Sequence, residues 1–154
     1  MRKVARIFAF AAALAVSAVL ASPGQAAEKV KTHHIAFQID ANNPKLMNLV
    51  LNNVANVVAY YHSKGEQAEV EVVAYGPGLN MLRADKSPVK ARLKSIKSGA
   101  FPSKVTYSAC HNTMKKMAKK EGHEIKIVPE ARVVPAGVVR LTELQEEGWT
   151  YIKP

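Results

Sequence analysis

Apolar positions along the chain fall into blocks that switch between a period of two and a period near 3.6. His33 to Asp40 (His-His-Ile-Ala-Phe-Gln-Ile-Asp) is short, apolar and rich in strand formers, and the turn cluster Ala41-Asn42-Asn43 ends it. This predicts a first strand. Asn43-Pro44 then offers a cap and a proline suited to the first helical position, and Leu46, Val50, Val54, Val57, Val58 and Tyr61 recur at helical spacing up to Lys64-Gly65. They predict a long amphipathic helix with a glycine stop. Glu69 to Tyr75 begins by alternating and becomes continuously apolar, as a strand covered on both faces does, before running into Gly76-Pro77-Gly78. Ser87-Pro88 repeats the cap-and-proline signal, with Val89, Leu93 and Ile96 on one helical face and Gly99 beyond the end.

Lys104 to Ala109 predicts a third strand. Cys110 to Glu121 predicts a third helix, with Met114, Met117 and Ala118 on one side, Lys115, Lys116, Lys119 and Lys120 on the other, and Gly122 as its stop. Arg132-Val133-Val134 predicts a brief fourth strand. Pro135-Ala136-Gly137 leads into a helix carrying Val138, Leu141 and Leu144 and stopped at Gly148, and Trp149 to Ile152 predicts a last strand. Ile125 to Val128 has extended character with no assigned role. Strand and helix therefore alternate strictly, five and four in number. This order argues an α/β domain of three layers, a mostly parallel five-stranded sheet with helices on both faces.

The N-terminus follows a different pattern. Arg2, Lys3 and Arg6 precede an apolar run from Ile7 to Leu20 broken only by Ser17, and Pro23-Gly24 then interrupts any helix. Gly24-Gln25-Ala26 places small residues at the positions a signal peptidase reads, so residues 1–26 are expected to be a cleavable signal peptide and residues 27–154 a single exported domain. The apolar run falls short of the ~20 residues of a spanning helix, and no later segment is long and apolar enough, so no membrane insertion is expected after cleavage. The expected location is the periplasm.

The whole chain of 154 residues carries a formal charge of +10, and loss of Arg2, Lys3 and Arg6 lowers it to +7. Such a basic balance suits nucleic acid in principle. Export removes the chain from nucleic acid, and the lysines are spread through all the helices, so solubility or an acidic partner accounts for them better. Asn53 and Asn56 interrupt the apolar run from Leu49 to Tyr60, which suits either exposure or a hydrogen-bonded subunit contact.

In an open parallel sheet the loops leaving strand C-termini gather along one edge, where ligands bind. Here that edge collects Asp40, Asn42 and Asn43; Gly76 and Gly78; Cys110, His111 and Asn112; and Pro135 to Gly137. Cys110 is the sole cysteine. In an oxidising compartment an unpaired cysteine points to an intermolecular bond or a reactive thiol, with a small buried hydrophobe as the plainer alternative. Its place where a strand gives way to a helix favours reactivity, because free N–H groups and the helix dipole stabilise a thiolate. The five histidines share no ligand spacing, so no metal site is expected. There is no Gly-x-Ser-x-Gly elbow, and Gly76-Pro77-Gly78 lacks the third glycine and the lysine of a phosphate loop.

A family likeness rests on residues spread over nearly all of the mature region. They are Phe37-Gln38-Ile39-Asp40, Asn53-Val54-Ala55-Asn56, Val72 to Gly78, Cys110-His111-Asn112-Thr113, Val134-Pro135-Ala136-Gly137, and Leu144 to Pro154. In their order and spacing the chain resembles the DsrE-like family of small α/β proteins. The resemblance implies a parallel-sheet fold, a homo-oligomer such as a trimer or hexamer, and a cysteine after the third strand that carries sulfur as a persulfide. That cysteine corresponds to Cys110, with His111 and Asn112 tuning or binding the sulfur group, Gly76 and Gly78 giving close backbone approach, and Asp40 at the same edge. The implied partner is a sulfur donor or acceptor, protein or small sulfur compound, with no organic cofactor. The expected signal peptide departs from the cytoplasmic relays of this family, so their particular partners do not transfer. Two other readings stay open: a non-catalytic oligomeric binding module with a structural cysteine, and a thiol redox protein forming mixed disulfides.

Overall fold

A computed structural model describes residues 30–154; the expected signal peptide lies outside the described residues. Among the described residues five strands and four α-helices follow one another: β1 (Thr32–Ile39), α1 (Pro44–Ser63), β2 (Gln67–Ala74), α2 (Lys90–Gly99), β3 (Lys104–Cys110), α3 (His111–Glu121), β4 (Ala131–Val134), α4 (Gly137–Glu146) and β5 (Thr150–Ile152). A 3₁₀ helix, Gly76–Leu82, fills the start of the β2 to α2 connection. Among the described residues no helix is long and apolar enough to cross a membrane.

Local chemistry accounts for most boundaries. The Asn43 side chain caps α1 by accepting from the backbone N–H groups of Lys45 at 2.9 Å and Leu46 at 3.3 Å, and Pro44 follows in the first turn. α3 ends where Gly122 turns left-handed at φ 74°, its N–H returning to Ala118 O at 2.9 Å. The second helix differs from expectation. Ser87-Pro88 forms a turn instead of a cap: the Ser87 hydroxyl donates to Met81 O at 2.5 Å and accepts from Val89 N at 3.3 Å, so α2 begins later, at Lys90. Residues 125–128 form no strand of the main sheet; Ile127 makes an isolated antiparallel bridge with Arg83.

The sheet order is β4-β3-β2-β1-β5, and every pairing is parallel. Three successive crossovers, from β1 to β4, step across the sheet in one direction, and the last, from β4 to β5, returns across its whole width. Right-handed crossovers then place α1, α2 and α3 on one face and α4 on the other. The packing agrees. A large cluster joins Phe37, Val72 and Tyr107 to Met47, Val50, Leu51 and Leu93, while a small second cluster sets Leu141 and Leu144 of α4 against Ala36 and Val73. Val138, expected on the apolar side of α4, is 55 % exposed, because a single helix on that face needs only the Leu141 and Leu144 stripe.

The reversal has a local consequence. β3 feeds a helix on one face and its neighbour β4 feeds a helix on the other, so the switch point of the topology lies between their C-terminal ends. Cys110 pairs with Val134 at that place.

Candidate functional site

Cys110 is both the last residue of β3 and the N-cap of α3. In strand register its side chain points to the α4 face, along with Ser108 two residues earlier. The β4–α4 loop reaches over from the neighbouring strand, so the first turns of α3 and α4 meet around one sulfur. The backbone is fastened across this junction by a bond from Asn112 N to Pro135 O at 3.3 Å.

Cys110 is buried, 5 % exposed as a residue. Burial alone pushes its pKa up, but the Thr113 hydroxyl and the N–H groups of Gly137, Thr113 and Asn112 outweigh it and hold the thiol below its ordinary value. Gly137 begins α4, and Asn112 and Thr113 begin α3. The donors therefore come from two helix N-termini, whose first amides lack intrahelical partners and whose dipole ends are positive. Thr113 is itself positioned: its Oγ1 accepts the Gly76 N–H at 3.0 Å, which leaves the hydroxyl proton for the sulfur.

The expected site residues are thus brought together only in part. Gly76, at φ +50°, acts through Thr113. Gly78 serves packing: a Cβ there would lie 2.4 Å from Ile39 O, so glycine lets the 3₁₀ helix sit on the end of β1. Asp40 accepts from Gln38 at 2.9 Å and from Lys153 at 2.9 Å, which ties the C-terminus to the end of β1. The His111 and Asn112 side chains are exposed, and Asn112 meets the thiol with its backbone. Asn53 is half-buried and Asn56 exposed.

In the sequence Thr113 lies inside a motif with no role of its own, and Gly137 reads as part of the ligand-binding edge without a tie to the thiol. A Cβ on Gly137 would stand 2.9 Å from Tyr75 Cβ, so this glycine lets Tyr75 lie against the start of α4. A cleft of about 640 Å³ runs between the 3₁₀ helix and α3, with Tyr75, Gly76, Lys116, Met117 and Lys120 among its lining; Cys110 does not line it, and Thr113, which does, links it to the thiol.

Two ionic clusters were also missed. On the α4 face, buried Glu71 accepts from Ser108, Arg132 and Arg140 at 2.6–3.0 Å. At the far end of α3, fully buried Arg83 donates to Asp85 and Glu121 at 2.6–2.9 Å. Asp85, Glu121 and His123 could offer three ligand atoms within 4.8 Å of one another, but Arg83 and Lys86 already occupy the carboxylates. His33 stacks on Tyr61 and bonds Glu66 at 2.8 Å, at the sheet edge remote from Cys110.

Fold and site define a parallel α/β domain with a lone thiol at its topological switch point. The profile of the DsrE/DsrF-like family matches residues 31–154, and the chain belongs to that family. A solved structure, that of protein MTH1491 from Methanobacterium thermoautotrophicum, described as of unknown function, is similar with a TM-score of 0.66 and 30 % identity. The match covers 79 % of this chain and 99 % of that one. No curated protein gives a significant match.

Proposed function

We propose that the protein is an exported, periplasmic sulfur carrier in which Cys110 holds the transferred sulfur as a persulfide. The observation that carries this reading is the convergence of donors from α3 and α4 on a buried thiol whose pKa nevertheless lies below its ordinary value. A cysteine enclosed by apolar side chains alone would have its pKa raised by burial.

The step needs no outside oxidant. The Cys110 thiolate attacks the outer sulfur of a persulfide donor R–S–SH; the new S–S bond forms as the old one breaks, and R–S⁻ leaves and takes a proton from solvent. Release reverses this, with an acceptor thiolate attacking the outer sulfur of the Cys110 persulfide. The same amides that stabilise the Cys110 thiolate stabilise it again as the leaving group.

Incubation of the protein with inorganic polysulfide, followed by intact mass measurement, tests the reading. The expected result is the gain of one sulfur atom, reversed by a thiol acceptor and absent in Cys110→Ser. A wild-type protein that gains no sulfur, and whose thiol reacts with alkylating reagents only after unfolding, overturns it in favour of a structural cysteine.

A further inference from the structure

The cleft that reaches Cys110 through Thr113 has a chemistry the thiol alone does not require. Thr113, Lys116, Met117 and Lys120 lie at positions i, i+3, i+4 and i+7 of α3, which is one stripe of a helix. Across from them stand Tyr75, Pro77 and Asn80. One end of the stripe is therefore Thr113, whose hydroxyl meets the sulfur, and the other end is cationic. Lys86 in the same cleft is tied to Glu121 at 2.8 Å, whereas among the described residues Lys116 and Lys120 have no ion-pair partner.

Resting on the sulfur-carrier reading, we propose that this cleft binds a small organic persulfide bearing carboxylates. Its sulfur end lies at Thr113 and its carboxylates at Lys116 and Lys120. Length supports this. Seven residues of helix at 1.5 Å each separate Thr113 from Lys120 by roughly 10 Å, and an extended peptide of three residues spans about the same distance. Size agrees as well: about 640 Å³ falls within the roughly 300–1,000 Å³ of small-molecule sites and far exceeds the needs of a bare inorganic sulfur anion. Met117 and Tyr75 give the middle of such a ligand an apolar wall, while two unpaired ammonium groups select its charged end.

Calorimetric titration with S-methylglutathione, a tripeptide with two carboxylates and no free thiol, tests binding without sulfur transfer. Saturable binding is expected to wild type and to Cys110→Ser alike, weakened at least tenfold in the double variant Lys116→Glu/Lys120→Glu and lessened by added salt. Both lysines are exposed, so the double variant is expected to keep its circular dichroism and melting temperature. Absence of saturable binding to wild type, equal binding to the double variant, or binding only by longer acidic polypeptides overturns the proposal. Sulfur loading from inorganic polysulfide is scored separately. A protein that loads but ignores the tripeptide loses this inference and keeps the carrier reading; one that binds the tripeptide but never loads loses the carrier reading.

Discussion

Two effects oppose each other at the Cys110 sulfur. Burial removes water and favours the neutral thiol, while four donors favour the anion, and the donors prevail. Thr113 is the one donor that a side-chain change can remove without altering the backbone. Thr113→Val keeps the branched shape, loses the hydroxyl, and leaves the Gly76 N–H without its acceptor, at a cost of about 1 kcal/mol in stability. The rate of Cys110 alkylation followed against pH is expected to rise at lower pH in wild type than in Thr113→Val. Each unit of difference corresponds to about 1.4 kcal/mol of lost thiolate stabilisation. Identical profiles would remove Thr113 from the account. The sequence made Cys110 visible as a residue between strand and helix. It did not reveal Thr113, because a threonine in the first turn of a helix usually needs no further reason.

At the level of elements, the start of α4 does for the sulfur what the start of α3 does, and it arrives from a strand not adjacent in sequence. Nothing in the alternation of strands and helices ranks β4 beside β3, so the Gly137 N–H could be assigned to the right edge but not to the thiol. Two glycines separate the consequences. Gly78→Ala puts a methyl 2.4 Å from the backbone oxygen of Ile39, and Gly137→Ala puts one 2.9 Å from Tyr75 Cβ. Both are expected to lower stability, by about 1–3 kcal/mol, with Gly78→Ala the worse because its obstacle is backbone. Urea unfolding measures that part. Only Gly137→Ala, by pushing the start of α4 from the sulfur, is expected also to move the alkylation profile to higher pH. A profile moved equally by Gly78→Ala would mean that general loosening, and not the α4 amide, governs the thiol. Ser87-Pro88 shows the limit of local signals in another way: the cap residues are present, but Ser87 bonds Met81 O and Val89 N within a turn, and the helix starts beyond them at Lys90.

Across the whole molecule, the alternating pattern was sufficient for the three layers and the parallel sheet, whereas the buried charges were hidden by it. Glu71 sits in an apolar strand and reads as an exposed position, yet burial, which would raise its pKa, is outweighed by Arg140, Ser108 and Arg132, and its pKa is lowered. It joins β2 to β3, β4 and α4 through those partners. Arg83 similarly fastens the end of the 3₁₀ helix to Glu121 at the end of α3, a residue that lines the cleft. Its guanidinium holds both Asp85 and Glu121 at about 2, against ordinary values of 3.8 and 4.5. A carboxylate with a depressed folded pKa contributes stability that is fully present above its unfolded pKa and is lost as pH falls through the folded one. The contribution of this cluster should therefore be complete above about pH 4.5 and disappear progressively towards pH 2. Melting temperatures of wild type and Arg83→Met measured across that window check this. Arg83→Met is expected to melt lower at neutral pH, because it leaves Asp85 without its cation, and to lose less on acidification, because Asp85 then titrates near its unfolded value while Glu121 keeps only Lys86. Parallel curves for the two proteins would mean that Arg83 contributes packing rather than charge, and that the acid sensitivity of the fold resides in the Glu71 cluster instead.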